Sequence, residues 1–446
     1  MFKKVLIANR GEIAVRVIAA LREMGIRSVA VYSEADRECL HVRLADEAVC
    51  IGPAAAAQSY LNIQALIAAA EVTQSEAIHP GYGFLAENPR FAEVCHDCGL
   101  VFIGPDAGMM EKLGDKISAR KLARKAGIPI LGGTLDPVAD TKAAVALAHK
   151  LRFPVILKAA AGGGGRGMRV VTDARDFEQV FLSASSEAEK AFGDGRLYLE
   201  KYLENPRHVE IQIMADKKGE TLYFPERECS IQRRHQKLME ESPSPAVNPS
   251  LRKKMGECAV KLMKEARYEG AATVEFLLDE DGQFYFMEVN TRIQVEHPVT
   301  EEVTGADLIM AQVAVAAGER ITGLRKNLQA VGHAIEFRVN AEDPRTFVPS
   351  PGKVTLLAWP VGPGVRVDSH LYAGYTVPPH YDSLLAKIIV RGADRAQVIR
   401  RARRALSCTV IEGVQTSIPL FLRILDNAAF AQGDLSTRFL ERQAIV

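Results

Sequence analysis

The sequence predicts an α/β protein whose largest part is an α+β domain, and three observations point there. A βαβ pattern occupies the first 33 residues, strand-like segments crowd the second half, and 446 residues are too many for one core. A chain this long divides into roughly two to four domains of about 100 to 200 residues. Its 56 basic residues nearly cancel its 55 acidic ones. The chain therefore has no global attraction for nucleic acid or an anionic membrane, and any anion site must be local.

The elements follow in order. KKVLIA (3–8) reads as a buried strand, EIAVRVIAALREMG (12–25) as an amphipathic helix closing at Gly25, and RSVAVYS (27–33) as a second strand. The opening apolar run ends at Asn9 and Arg10, too early for a secretory core. This βαβ start invites a dinucleotide reading, but the turn ANRGEIA has one glycine where the GxGxxG fingerprint needs three. HPGYGFLAEN (79–88) is a loop punctuated by Gly and Pro, and FIGP (102–105) ends a further strand. The expected division is 1–115, 116–203 and 204–446. The middle part holds helices at DKISARKLARKAG (115–127) and TKAAVALAHKL (141–151) and a strand at PVILKA (154–159). The last part holds strands at HVEIQIMAD, TLYFPE, ATVEFLL and QFYFMEVN, and βα material from Ser383 to Leu406. No uncharged stretch reaches the roughly 18 to 20 residues that span a bilayer. Seven cysteines, including a lone CxxC at Cys95 and Cys98, suit reduced thiols in a cytoplasmic protein.

The glycine run AAAGGGGRGMRVV follows PVILK. It is not a Walker loop, because no GK[ST] follows and the next segment is strand-like. Two strands joined by glycines make a flap whose N–H groups can meet polyphosphate oxygens, with Lys158 and Arg166 adding charge. Valine at Gly164 and Gly165 should crowd the backbone and weaken polyphosphate binding. Limited proteolysis of 162–167 checks this: protection by a nucleoside triphosphate is expected, and equal cleavage with and without it contradicts it.

ATVEFLL and QFYFMEVN flank the turn DEDG and should pair antiparallel. Strand period puts Glu288 and Asn290 on one face. Pairing Leu278 with Tyr285 sets Glu275 opposite Glu288, so that two carboxylates and an amide oxygen converge as hard ligands for Mg²⁺. RRHQK (233–237), taken alone, reads as a solvated charge run. NTRIQVEHPVTE (290–301) puts two amides, an arginine and two carboxylates within twelve positions.

Together, HPGYGFLAEN, KAAAGGGGRGM, EKYLENPRHVEIQ, ERECSIQRRHQK and MEVNTRIQVEHPVTE resemble the biotin carboxylase family, the ATP-grasp component of biotin-dependent carboxylases. The resemblance runs from Asn9 to about Lys387; the flap has Ala161 where the family often has glycine. It implies an ATP-grasp fold with an N-terminal Rossmann-like domain, a small flap domain and a C-terminal mixed domain. It implies ATP held by Lys116, Lys158, Gly163, Gly164, Gly165, Glu200, Lys201, Leu203, His208, Gln232 and His235. Two Mg²⁺ or Mn²⁺ ions would sit on Glu275, Glu288 and Asn290. Bicarbonate would be held by Lys237, Arg292, Gln294 and Val295, with Glu296 as general base. Biotin would contact Tyr82, Gly83 and Arg338, the last stabilising its enolate-like form. His297 and Pro298 are expected to pack or position.

No AMKM-like biotin attachment turn occurs, so the resemblance implies a separate biotin carboxyl carrier protein, separate carboxyltransferase subunits and a homodimer. It implies the first half-reaction of acetyl-CoA carboxylase in fatty acid synthesis, with a pyruvate or other acyl-CoA carboxylase as the alternative. Another ATP-grasp ligase and a non-catalytic nucleotide-binding module are the competing classes.

Overall fold

The computed structural model describes residues 1–138, 140–160 and 167–445, with the side chains at 192 and 327 outside that description. Its first sheet has five parallel strands in the order Glu47–Cys50, Arg27–Tyr32, Lys4–Ile7, Ala77–His79 and Val101–Phe102. Strand Lys4–Ile7 is central because Val5, Leu6 and Ile7 are fully buried, with apolar neighbours on both faces. Helix Gly11–Glu23 follows it and stops where Gly25 takes φ +70°, a left-handed position glycine accepts without strain. The strand order reverses beside Lys4–Ile7, so the loops after it and after Ala77–His79 meet there. The Asn9 amide donates to the carbonyls of Pro80 and Tyr82, each at 2.8 Å. This is the end of an open α/β sheet where ligands gather, and it delivers Tyr82 and Gly83.

A three-stranded antiparallel sheet, Met168–Val171, Val155–Ala159 and Leu197–Lys201, forms the second unit. Val155, Leu157 and Ala159 pack against helices Thr141–Leu151 and Phe177–Phe192. Period two therefore turns Lys158 to the other face, beside Glu200. The two strands flanking the glycine run pair as expected; Gly163, Gly164 and Gly165 lie outside the described residues.

The largest sheet has nine strands. Its path runs Phe284–Asn290, Gly270–Leu278, Arg207–Ala215, Arg227–Arg233, Gln236–Ser242, His333–Asn340, Leu384–Gly392 and Val365–Ser369, and Thr221–Tyr223 pairs on Arg207–Ala215. Helix Pro249–Ala266 covers Val209, Ile211 and Ile213, while helices Arg395–Ser407 and Ile418–Leu425 cover Phe337, Ile388 and Val390. Full burial of each such side chain contributes about 1.5–3 kcal/mol.

Two expectations are corrected. The acidic hairpin pairs Leu278 with Phe284 and Leu277 with Tyr285, one residue off the expected register. Glu275 nevertheless lies opposite Glu288, because an irregularity after Glu275 leaves Met287 as an extra residue and restores the alignment. RRHQK is not a simple solvated run. Arg234 and His235 form an exposed turn with φ of +47° and +67°, but the turn joins strands Arg227–Arg233 and Gln236–Ser242 and carries Lys237 inward, its side chain only 11% exposed. Among the described residues, no helix is long and apolar enough to cross a membrane.

Candidate active site

The three units enclose a cleft of about 1420 Å³. Tyr82 and Gly83 enter it from the first sheet, Lys158, Glu200, Lys201 and Leu203 from the second unit, and His208, Gln232, His235, Lys237, Glu275, Glu288, Asn290, Arg292, Gln294, Val295 and Arg338 from the large sheet and its loops. Lys116 begins helix Lys116–Lys125, which the Asp115 carboxylate caps by accepting from Ser118 N at 2.8 Å. Its ammonium is 3.8 Å from Glu288. Lys158 and Arg120 both pair with the Glu200 carboxylate. Burial pushes that carboxyl up, but Lys158 and Arg120 outweigh burial and hold it below the ordinary range.

Lys237 is the hub. Its ammonium donates to Glu210 at 2.6 Å, Glu275 at 2.8 Å and Glu296 at 2.7 Å. Strand pairing explains the crowding, since Glu275 is the register partner of both Glu210 and Glu288. Facing carboxylates repel unless a cation stands between them. Burial would raise Glu275, but Lys237 and His208, whose Nε2 is 3.0 Å away, hold it low. Glu288 moves the opposite way: burial raises it, and facing Glu275 raises it further, against Lys116. Asn290 donates to Glu275 at 2.9 Å. This carboxylate pair with an adjacent amide oxygen fits a hard divalent cation.

The loop after Asn290 turns back over the hub. Arg292 donates to Glu87 at 2.8 Å, to the Gln294 side chain at 3.1 Å and to Asn290 at 3.3 Å. Val295 presents its carbonyl to Lys387 at 3.0 Å. Glu296 is fully buried, with Lys237 on one carboxylate oxygen and Arg338 at 2.8 Å on the other. Burial would raise its pKa, but Lys237, Arg338 and Arg227 together hold it well below the usual carboxylate range. Glu296 is therefore ionised at neutral pH, and a weak base while both cations stay on it. His297 is fully buried at the start of helix His297–Thr304, its Nδ1 2.8 Å from the Gln294 carbonyl.

Several neighbours of these residues are not apparent from the sequence motifs. Glu210, Arg227, Glu240, Glu336, Glu87 and Lys387 hold or face the groups just described. Period two carried the missing signal: in HVEIQIM, Val209, Ile211 and Ile213 alternate with His208, Glu210 and Gln212, and in AIEFRVN, Ile335 and Phe337 alternate with Glu336 and Arg338. A polar group repeating opposite a core stripe marks a second buried face.

A small three-stranded unit and a large sheet lining one cleft with lysines and facing carboxylates define the class, an ATP-grasp ligase. Family models match nearly the whole chain: "Biotin carboxylase, N-terminal domain" at residues 1–110, "Carbamoyl-phosphate synthase L chain, ATP binding domain" at 115–324 and "Biotin carboxylase C-terminal domain" at 336–442. The chain is 53% identical over 441 residues to a biotin carboxylase of Nostoc sp., covering 99% of each. It is also 53% identical over 442 residues to a pyruvate carboxylase subunit of Methanothermobacter thermautotrophicus, covering 99% of this chain and 90% of that one. Among solved structures, it is similar to the biotin carboxylase domain dimer of Hydrogenobacter thermophilus 2-oxoglutarate carboxylase in complex with MgADP, ADP and bicarbonate. The TM-score is 0.95 and the identity 46%, over 100% of this chain and 98% of that one. The chain belongs to the biotin carboxylase family, and is an ATP-dependent ligase of that family.

Proposed function

We propose that the chain carboxylates biotin, borne on a separate carrier protein, with ATP and bicarbonate through carboxyphosphate. The observation that carries this reading is Glu296 held between Lys237 and Arg338, a base set between a cation for bicarbonate and a cation for biotin. Bicarbonate replaces Glu296 as the partner of Lys237 and takes the Arg292 guanidinium, which suits a planar anion with two parallel hydrogen bonds. Losing Lys237 raises the basicity of Glu296 at the moment it is needed. Glu296 then takes the bicarbonate proton as the oxygen attacks the γ-phosphorus and ADP leaves.

Carboxyphosphate breaks down to CO₂ and phosphate. The phosphate accepts the N1′ proton of biotin, Arg338 steadies the charge on the ureido oxygen, and N1′ adds to CO₂. Lys116, Lys158, Gly163, Gly164, Gly165, His208, Gln232 and His235 contact ATP in this reading, with Glu200, Lys201 and Leu203 at the adenine. Tyr82 and Gly83 meet biotin. Glu275, Glu288 and Asn290 would hold two Mg²⁺ or Mn²⁺ ions, which would supply neutralising charge at the phosphates.

The most fitting setting is acetyl-CoA carboxylase in fatty acid synthesis, in the cytoplasm, as a homodimer with carrier and carboxyltransferase subunits. Pyruvate or another acyl-CoA acceptor is the alternative, since relatives carry both kinds of name. The same reading divides the chain at about residues 115 and 203. The test is an ATPase assay with bicarbonate, with and without free biotin. Bicarbonate-dependent cleavage that biotin stimulates is expected, and cleavage indifferent to both contradicts the proposal.

A further inference from the structure

Behind Arg338 lies a second pair of carboxylates with no part in the reaction just described. Glu240 on strand Gln236–Ser242 is the register partner of Glu336 on strand His333–Asn340. Both are buried, at 1% and 0% exposure. Arg338 follows Glu336 by two residues on the same face. Its NH2 group is 2.5 Å from Glu240 and 2.8 Å from Glu296. One nitrogen is thus shared by two carboxylates. Among the described residues, no oxygen of either carboxylate has a hydrogen-bond partner, and Glu240 meets Arg338 as an ion pair.

We propose that Glu240 is a positioning residue for Arg338, competing with Glu296 for its guanidinium and so setting how free Glu296 is to act as base. The inference rests on the roles proposed above for Glu296 and Arg338. Two buried carboxylates face to face do not both ionise readily, so the pair divides the work. Glu336 stays neutral: burial pushes it well up, and Glu240 and Glu296 add to that against Lys387 and Arg338. Glu240 is the member that titrates, pushed up to about 7 by burial against the pull of Arg338.

The other groups facing this pair do not move in the same way. Lys237 on the same strand is held charged by its three carboxylates. Cys229, on the neighbouring strand, is kept a thiol by burial. Glu296 stays ionised, and His297, at the start of the helix packed here, is kept neutral by burial and by Lys387. Lys387 on the next strand is held charged against burial by Glu12, with Asp368 beyond it. Glu12 also titrates at about 7, but the cation it pairs with, at 3.1 Å, is Lys387 rather than Arg338.

The direction follows. Below about pH 7 Glu240 is neutral and Arg338 rests on Glu296. Above it Glu240 is ionised, draws the guanidinium and leaves Glu296 freer, so activity rises with pH through that range.

The test measures phosphate release and carboxybiotin formation with free biotin from about pH 6 to pH 8, for the whole chain and for Glu240→Gln, Glu240→Asp and Glu336→Gln. Wild type should show the rise. Glu240→Gln, locked in the neutral form, should lose the rise and at high pH lose on the order of tenfold in kcat, the scale of one pKa unit of charge coupling, with KM for ATP unchanged. Glu240→Asp should restore the rise. Glu336→Gln, which copies a neutral acid, should keep it. A rise that persists in Glu240→Gln overturns the inference and leaves the proposed function standing. A flat wild-type profile overturns it without any variant, even if Glu240→Gln fails to fold. Wild type without bicarbonate-dependent ATP cleavage overturns the proposed function, and this inference with it.

Discussion

Glu296→Gln should lower bicarbonate-dependent ATP cleavage and biotin carboxylation together, by the roughly 10² to 10⁴-fold of a lost general base. The amide keeps the size of the carboxylate, and its one oxygen can still accept from Lys237 or from Arg338, while its NH₂ end cannot accept from the other. What it cannot do is take the bicarbonate proton. Arg338→Gln should differ in kind. Arg338 stabilises charge that develops only on biotin, so slow bicarbonate-dependent ATP cleavage should continue while carboxybiotin formation collapses. Phosphate release and carboxybiotin yield, measured in parallel, check both variants. Equal losses of the two activities in Arg338→Gln would refute this division of labour.

Glu288→Ala should nearly abolish ATP turnover, with a loss of several kcal/mol of charge stabilisation, or roughly 10² to 10⁴-fold. The fold should survive. Glu288 is partly exposed, with its side chain 32% accessible, and its removal relieves the repulsion from Glu275 across the strand pair. The Mg²⁺ dependence of nucleotide binding should weaken at the same time. Thermal melting and turnover over a Mg²⁺ titration check this, and unchanged turnover at saturating Mg²⁺ removes the metal assignment.

The parts of this fold that sequence conveyed best were those with clean periodicity. TKAAVALAHKL (141–151) is helix Thr141–Leu151, and KKVLIA contains the central strand Lys4–Ile7, because each segment has one apolar face or is apolar throughout. The hairpin register failed at Met287, where nothing in FYFMEVN marks an extra residue: no glycine or proline signals the irregularity, and only the pairing with Gly270–Leu278 reveals it. Strands Arg227–Arg233 and Gln236–Ser242 were hidden for another reason. ERECSIQRRHQK looks like a loop because it is dense in charge, yet Arg227 and Glu228 are buried. Arg227 is tolerable there because Glu210, Gln212, Thr273 and Thr300 each accept a hydrogen bond from it. Those partners lie 15 to 73 residues away in sequence, and no local pattern announces them.

Motif residues were easier to place than the groups that hold them. Lys237, Glu275, Glu288, Asn290, Arg292 and Arg338 all line the cleft, and Glu296 lies just beneath it, against Lys237 and Arg338. Of the residues governing their charge, Glu240 behind Arg338 belongs to none of the motifs, and Glu210 behind Lys237 lies in EKYLENPRHVEIQ without a role the motif assigns. Each is a buried acid in a strand of mixed polar and apolar residues, and its meaning emerges only when a neighbouring strand brings a cation to it.

The most direct test of the central claim follows isotopically labelled bicarbonate carbon in a mixture of the protein, MgATP and free biotin. The account predicts labelled carboxybiotin that forms with phosphate and requires ATP. Phosphate released while biotin stays unlabelled, or cleavage driven by ammonia or an amine in place of bicarbonate, would contradict it.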